Sequence, residues 1–253
     1  KKIISTSSKI IHMVKKYNII GFIPARSGST RVKNKNIRLI NGRPLIYWTV
    51  FKALKSKKFD KIIFSSDSST YYNTLIKYLK KDKLNYKNLV FDKRDIIHSA
   101  TKSKIFDYLK LDLLKKFNLK NNDLLVQMLP TCPLRKISTI RKIVSLALRI
   151  KKNIFSVSEY NFHVSFAITL NKLKWKPLFE NSPFKTGNTQ SQTQKIFYHP
   201  NGVINCLYVE KLSKKSKSIY ENAVPVIVSS KESYDLDTPD DLYTIQKLLK
   251  NKN

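Results

Sequence analysis

Residues 19–37 read IIGFIPARSGSTRVKNKNI, and this stretch decides the fold. Ile19, Ile20, Phe22 and Ile23 make a short apolar run that stops at Pro24, the pattern of a buried strand. A polar turn follows at once: Arg26, then Ser27, Gly28 and Ser29, then Arg31, Lys33 and Lys35. Small residues let the main chain come close to a ligand, so the amides of a Ser-Gly-Ser turn can converge on an anion. The flanking cations complete a pocket suited to several phosphates. The spacing is neither GxGxxG nor GxxxxGK[ST], so the dinucleotide and P-loop fingerprints are absent.

Outward from this loop, strand and helix signals alternate. Residues 18–24 read as strand, 44–57 as helix with Pro44 in the first turn, 61–65 as strand and 70–80 as helix. A short strand at 89–91, a helix at 103–117, a strand at 123–128 and a helix at 137–150 continue the series. This alternation predicts an α/β chain of three layers, Rossmann-like, with a mostly parallel sheet covered on both faces. Ligands of such sheets sit outside the carboxyl ends of the strands. Arg26–Lys35, Ser66-Asp67 and Pro130–Arg135 would all lie there.

After residue 154 the pattern changes. Segments 154–158, 164–170, 203–209 and 224–228 read as strands, with irregular polar sequence at 176–200. Residues 159–200 therefore read as an excursion from the main sheet. A closing helix at 239–250 begins after Thr238-Pro239. The expected organisation is a basic extension over 1–17, which makes a poor signal peptide, and a single domain over 18–253.

The 253 residues carry 49 Lys+Arg against 17 Asp+Glu, a formal charge of +32. Forty-one of those cations are lysines scattered along nearly every predicted helix, so the charge reads as solvated surface. It favours polyanionic substrates, and no zinc-finger or aromatic-basic motif points to a specific nucleic acid. No apolar stretch approaches the length of a membrane span. Cys132 and Cys206 make neither a disulfide framework nor a metal site, so a reducing cytoplasm is the expected location.

Asp235-Leu236-Asp237-Thr238-Pro239 is the second signal. Two carboxylates at i and i+2 of an extended segment project to one side while Leu236 points into the core. Such oxygens, with phosphate oxygens, suit Mg²⁺. The same residues also suit a plainer role, in which Asp237 or Thr238 caps the last helix and Asp235 is solvated.

Arg26-Ser27-Gly28-Ser29-x-Arg31-x-x-x-Lys35-Asn36 resembles the phosphate loop of the acylneuraminate (sialic acid) cytidylyltransferases, where R-x-G-S-x-R-x-x-x-K-N follows the first strand. Asp235 to Leu242 resembles the family's D-x-D-T-P-x-D-L. Pro130-Thr131-Cys132-Pro133-Leu134-Arg135 resembles its Q-P-T-S-P-L-R, with Cys132 for Ser and Leu129 for Gln. Ser191-Gln192 and Pro200-Asn201-Gly202-Val203-Ile204 resemble its R/S-Q and N-G-A-I elements. The matches stand in the family's order and cover roughly residues 18–245.

The resemblance implies a Mg²⁺-assisted reaction of CTP with an acidic nine-carbon sugar, giving the CMP-sugar and pyrophosphate. It implies that Arg26 and the Ser27–Ser29 amides, Gly28 among them, hold the β/γ-phosphates. Lys35 would stabilise the α-phosphoryl oxygens, and Asn36 would position Lys35 or contact nucleotide. Asp235 and Asp237 would hold Mg²⁺, and Arg26, Lys35 and Asp237 form the catalytic set. Lys93 or Arg94 would contact cytosine, although Ser99-Ala100-Thr101 lacks the family's acidic residue there. Thr131, Arg135, Gln192 and Asn201 would contact the sugar, with Lys185 or Lys195 as a cation for its carboxylate. The 159–200 excursion would be a dimerisation arm, making the protein a homodimer. Pseudaminic and legionaminic acid are alternative sugars; 3-deoxy-octulosonic acid fits less well, because its enzymes are not expected to carry the Lys-Asn and Asn-Gly pairs. A non-catalytic basic nucleic-acid-binding protein is the alternative of another class, and intact Lys35, Asp235 and Asp237 argue against it.

Overall fold

The structure is a computed structural model that describes residues 17–29, 31–98, 104–212 and 215–250. The expected extension, apart from Tyr17, and Ser99-Ala100-Thr101 lie outside the described residues. β1 (Ile19–Pro24) leads through a 3-10 turn at Lys35–Ile37 and a hairpin, β2 (Leu39–Ile40) and β3 (Arg43–Pro44), into α1 (Leu45–Ser56). β4 (Lys61–Ser66), α2 (Ser69–Lys81) and β5 (Leu89–Lys93) follow. The helix expected at 103–117 is α3 (Ile105–Tyr108) and α4 (Leu114–Lys116), joined by a π-helical turn at Leu109–Leu113. Then come β6 (Leu124–Gln127), α5 (Ile137–Ile150) and β7 (Ile154–Glu159). The excursion holds β8 (Ile168–Asn171), β9 (Lys174–Pro177) and α6 (Pro183–Thr186), before β10 (Tyr198–Tyr208), β11 (Val224–Ile227) and α7 (Pro239–Lys250) close the chain.

Seven strands form one sheet in the order β11-β7-β10-β6-β1-β4-β5, with β10 alone antiparallel to its neighbours. Alternation along β1 supplies both faces. Ile19 and Ile23 join Ile46 and Val50 of α1, Leu75 and Leu79 of α2 and Ile143 of α5 in one core. Ile20 and Phe22 join Tyr108, Leu109 and Leu113 in a second. These are the expected three layers. The excursion's hairpin, β8 with β9, departs from the expectation: a 3-10 turn at Val164–Phe166 replaces the start of the expected strand, and β9 (Lys174–Pro177) has no counterpart among the expected strands, its second half falling in the stretch read as irregular. β10 begins at Tyr198, five residues before the expected strand, because Pro200-Asn201-Gly202 forms an irregularity within the strand instead of a turn before it.

A third cluster positions the site. Val32, Ile40, Leu45, Leu134, Leu236, Ile245 and Leu249 pack together, so the 26–35 loop, the Pro130 segment, Leu236 and α7 share one core. Residues 200 positions apart meet because each segment buries one apolar anchor there.

Candidate active site

The 26–35 loop leaves β1 at the carboxyl edge of the sheet, where the Ala25 amide still donates to Ser65 O at 2.8 Å. Asn34, in the left-handed region that Asn tolerates (φ 55°), turns the chain into the 3-10 segment carrying Lys35 and Asn36. Asn36 is 5% exposed and donates from Nδ2 to Arg26 O at 2.9 Å, which pins the two ends of the loop together. Its Oδ1 is buried without a hydrogen-bond partner.

Lys35 reaches across to the Asp235–Asp237 segment. Its Nζ donates to Leu236 O at 2.8 Å and to Asp237 Oδ1 at 3.1 Å, while Arg31 Nη1 meets Asp237 Oδ2 at 2.8 Å. The Lys35 side chain is 15% exposed and that of Arg31 is 70% exposed, so Lys35 is held and Arg31 is at the rim. The plainer capping role is present too. Thr238 Oγ1 accepts the Asp241 amide at 3.3 Å, and Asp241 Oδ2 accepts the amides of Asp237 (2.9 Å) and Thr238 (2.7 Å). Against a desolvation cost, the Thr238 hydroxyl and these amides hold the Asp241 carboxyl below its ordinary range. Asp241 thus fixes the backbone, and the Asp237 carboxylate is left to face Lys35.

Asp235 sits beside Thr131, whose carbonyl accepts the Leu236 amide at 2.9 Å. Its outer edge is exposed, but protein atoms crowd the carboxyl; that desolvation, with the neighbouring Asp237 charge, raises its pKa, opposed by the Thr131 hydroxyl and Lys35. A cavity of about 320 Å³ lies at this junction, lined by Arg26, Ser29, Arg31, Lys35, Asn36, Leu129, Thr131 and Asp237, among others. Arg26, Lys35, Asn36, Thr131 and Asp237, expected to act together, therefore do meet at one cleft.

Ser29 lines this cleft as well, while other expected groups are committed elsewhere. Ser27 is turned away from the cleft: its amide and hydroxyl donate to Asp67 at 2.8 Å and 2.6 Å, so that amide is not offered to a phosphate. The Ser29 amide is directed to Ser27 O at 2.8 Å. Gly28 is exposed, with open space where a Cβ would stand and no positive φ, so neither packing nor backbone strain requires glycine there. Of the two cytosine candidates, Lys93 is exposed and donates from Nζ to Asp67 O at 2.5 Å. Arg94 is 4% exposed; burial pulls its guanidinium below the ordinary value, opposed by Asp67, Tyr108 and Asp92.

Three sugar expectations need correction or relocation. Arg135 is fully buried: it donates to Val203 O, to Thr49 Oγ1 at 3.0 Å, and to Leu129 O and Gly202 O at 2.9 Å each. Burial pulls it down to about 10, and it shapes the Leu129–Thr131 loop without facing the cleft. Asn201 is likewise consumed, with Oδ1 accepting from Ser156 Oγ (2.6 Å) and the Val203 amide (3.1 Å) while Nδ2 donates to Ser158 Oγ (2.8 Å). Gln192 stands exposed in a 3-10 turn on the excursion. Gly202 has a packing reason: an added Cβ would lie 2.7 Å from Leu129 Cδ1, forcing the cleft wall to move. Asp241 has no role in the sequence reading, although Thr238-x-x-Asp241 has capping-box spacing, whereas Arg31 is read there among the flanking cations and Asp67 as lining the nucleotide site or capping the next helix.

A family model described as cytidylyltransferase matches residues 20–248. The CMP-N,N'-diacetyllegionaminic acid synthase of Legionella pneumophila is 29% identical over 238 residues, covering 91% of this chain and 96% of that protein. The N-acylneuraminate cytidylyltransferase of Escherichia coli O18:K1:H7 is 26% identical over 93% of this chain, which spans 53% of its length. In fold, the chain is similar to a CMP:2-keto-3-deoxy-manno-octonic acid synthetase complexed with CTP, at a TM-score of 0.67 and 14% identity over 93% of this chain and 100% of that one. With the loop and the Asp235–Asp237 segment joined at one cleft and a family match spanning nearly the whole sheet, the chain belongs to the cytidylyltransferase family.

Proposed function

We propose that this chain transfers CMP from CTP to an acidic nine-carbon α-keto sugar. The observation that carries the reading is the Lys35–Asp237 contact, which joins the phosphate-type loop to the acidic segment across 202 positions beside a cavity. The sugar's anomeric oxygen attacks the α-phosphorus in line, the hydroxyl proton is lost, and pyrophosphate leaves. Catalysis of such a transfer is positioning plus charge neutralisation. Arg26 and Arg31 face the β/γ-phosphates, and Lys35 faces the α-phosphoryl oxygens, where a point charge acts at close range. Thr131 and Leu129 form the sugar side of the cleft.

Asp235 and Asp237 fit Mg²⁺ by donor chemistry, since both are hard oxygen donors two residues apart, although Asp237 would have to share its oxygens with Lys35 and Arg31. Among the described residues no cluster of three or more metal-ligating side chains occurs; an ion held by this pair would take the rest of its shell from phosphate oxygens and water. Bound there, it would neutralise charge on the triphosphate.

Relatives named for legionaminic, N-acylneuraminic and pseudaminic acid all match, which supports reading the sugar as sialic-acid-like, with pseudaminic, legionaminic or 3-deoxy-octulosonic acid as alternatives. The test is pyrophosphate release with CTP, Mg²⁺ and a panel of acid sugars. Release is expected to need both CTP and one acid sugar, and to fall about 10²–10³-fold in Asp237→Ala. Release without sugar, or undiminished in Asp237→Ala, would overturn the reading.

The excursion carries exposed Leu170, Leu173, Trp175, Leu178 and Phe184, an apolar surface that fits a second copy of the chain. A dimer mass in light scattering is expected, shifting to monomer in Leu173→Asp; a monomer in the parent protein would refute it. No helix among the described residues is long and apolar enough to cross a membrane.

A further inference from the structure

Asp67 stands at the end of β4, and neither a helix cap nor a ligand accounts for its position. The cap of α2 is Ser68, whose Oγ accepts the Tyr71 amide at 3.3 Å. Both Asp67 oxygens instead grip Ser27, one on the amide at 2.8 Å and one on the hydroxyl at 2.6 Å. The Tyr71 hydroxyl donates to Ser27 O at 3.3 Å, so three groups of that one residue are held from the β4–α2 side. On its other side, the Asp67 carbonyl accepts Lys93 Nζ at 2.5 Å, and the Arg94 amide donates to Ser66 O at 2.9 Å.

We infer that Asp67 is a positioning residue that presets the 26–29 turn for triphosphate. The inference rests on reading that loop as the CTP phosphate site. A Ser/Gly turn left to itself is floppy, and ordering it on binding would cost affinity. A carboxylate holding Ser27 orders the turn beforehand, which leaves Arg26 and Ser29 on the cleft side.

The sign of the effect separates this from plain electrostatics. A carboxylate near a triphosphate repels it, so charge alone predicts that removing Asp67 tightens CTP binding. Positioning predicts the reverse. Calorimetric titration of the full chain with CTP and Mg²⁺, with no sugar present, reads this directly.

Asp67→Ala is expected to weaken CTP about tenfold, within the range seen when an outer support of a ligating group is lost. Asp67→Asn keeps one acceptor for the Ser27 amide and is expected to weaken it about threefold. Ser27→Ala added to Asp67→Ala should change little further, because the partner of the hydroxyl is already gone. Equal or tighter CTP binding by Asp67→Ala or Asp67→Asn overturns the inference. Should Asp67→Ala not fold, Asp67→Asn carries the same sign test. If the parent chain ignores CTP, the CTP reading itself falls and this inference with it; a parent that binds CTP alongside an unaffected Asp67→Asn removes the inference alone.

Discussion

Lys35→Ala is expected to lower pyrophosphate release about 10²–10⁴-fold, the range for removing a preorganised charge from a phosphoryl-transfer site. The size follows from how Lys35 is held. Its Nζ is anchored by Leu236 O and Asp237 Oδ1, and the side chain is only 15% exposed, so the charge is in place before substrate arrives. Preorganised charge costs no rearrangement during the reaction, and in a partly water-excluded cleft it is worth more than in solvent. The loss should appear in kcat more than in the KM for CTP, since Arg26 and Arg31 remain to hold the phosphates. The folded state should scarcely notice: an ion pair to the 41%-exposed Asp237 contributes little, and the melting point should stay within about 3 °C of the parent. Lys35→Arg should not restore activity, because a planar fork does not occupy the place of a point charge. Turnover within about tenfold of the parent would remove Lys35 from the mechanism.

Arg135→Ala is expected to be the most damaging substitution for stability, at about 3–5 kcal/mol. Its guanidinium is fully buried and satisfies Val203 O, Leu129 O and Gly202 O together with Thr49 Oγ1. Truncation leaves a void and takes a donor from Val203 O and Thr49 Oγ1, while Gly202 O and Leu129 O keep the amides of Leu129 (3.0 Å) and Cys132 (3.3 Å). Recovery of the desolvation cost of the charge offsets part of this. For a chain of this size the loss is about a 10 °C fall in melting temperature. Arg135→Lys should rescue little, because three donors on one nitrogen cannot span acceptors arranged around a planar fork. Whatever folds at low temperature should show a raised KM, since Leu129 and Thr131, which line the cleft, depend on this anchor. A melting point within about 3 °C of the parent would show that the carbonyls find other donors.

The contrast between these residues shows what a sequence reveals. Lys35 and Asp237 stand out in the sequence only together: a basic turn after a strand and a carboxylate pair before a helix each have plainer uses, and it is their joint occurrence in the order of a known family that singles them out. Arg135 and Asn201 resembled ligands by the same kind of reasoning, yet both are consumed by backbone carbonyls and by β7 hydroxyls. Side-chain type says what a group can bind, and only burial says what it has already bound. β9 and the start of β10 were missed for a related reason. A strand of only four residues, Lys174–Pro177, gives an alternation too short to read, and Pro-Asn-Gly reads as a turn even where a strand absorbs it as an irregularity.

By itself the sequence determined the α/β layering, through alternation of short apolar runs with amphipathic helices, and it singled out the loop and the acidic segment that meet at one cleft. Only the tertiary structure decided which members of those motifs face the cleft. Ser27 is turned to Asp67, Asp241 holds the backbone so that Asp237 can meet Lys35, and Arg135 is locked beneath the Leu129–Thr131 wall. The physical reason is competition: each polar group takes the partner its packed neighbours bring within 3 Å or so, and those neighbours are distant in the chain.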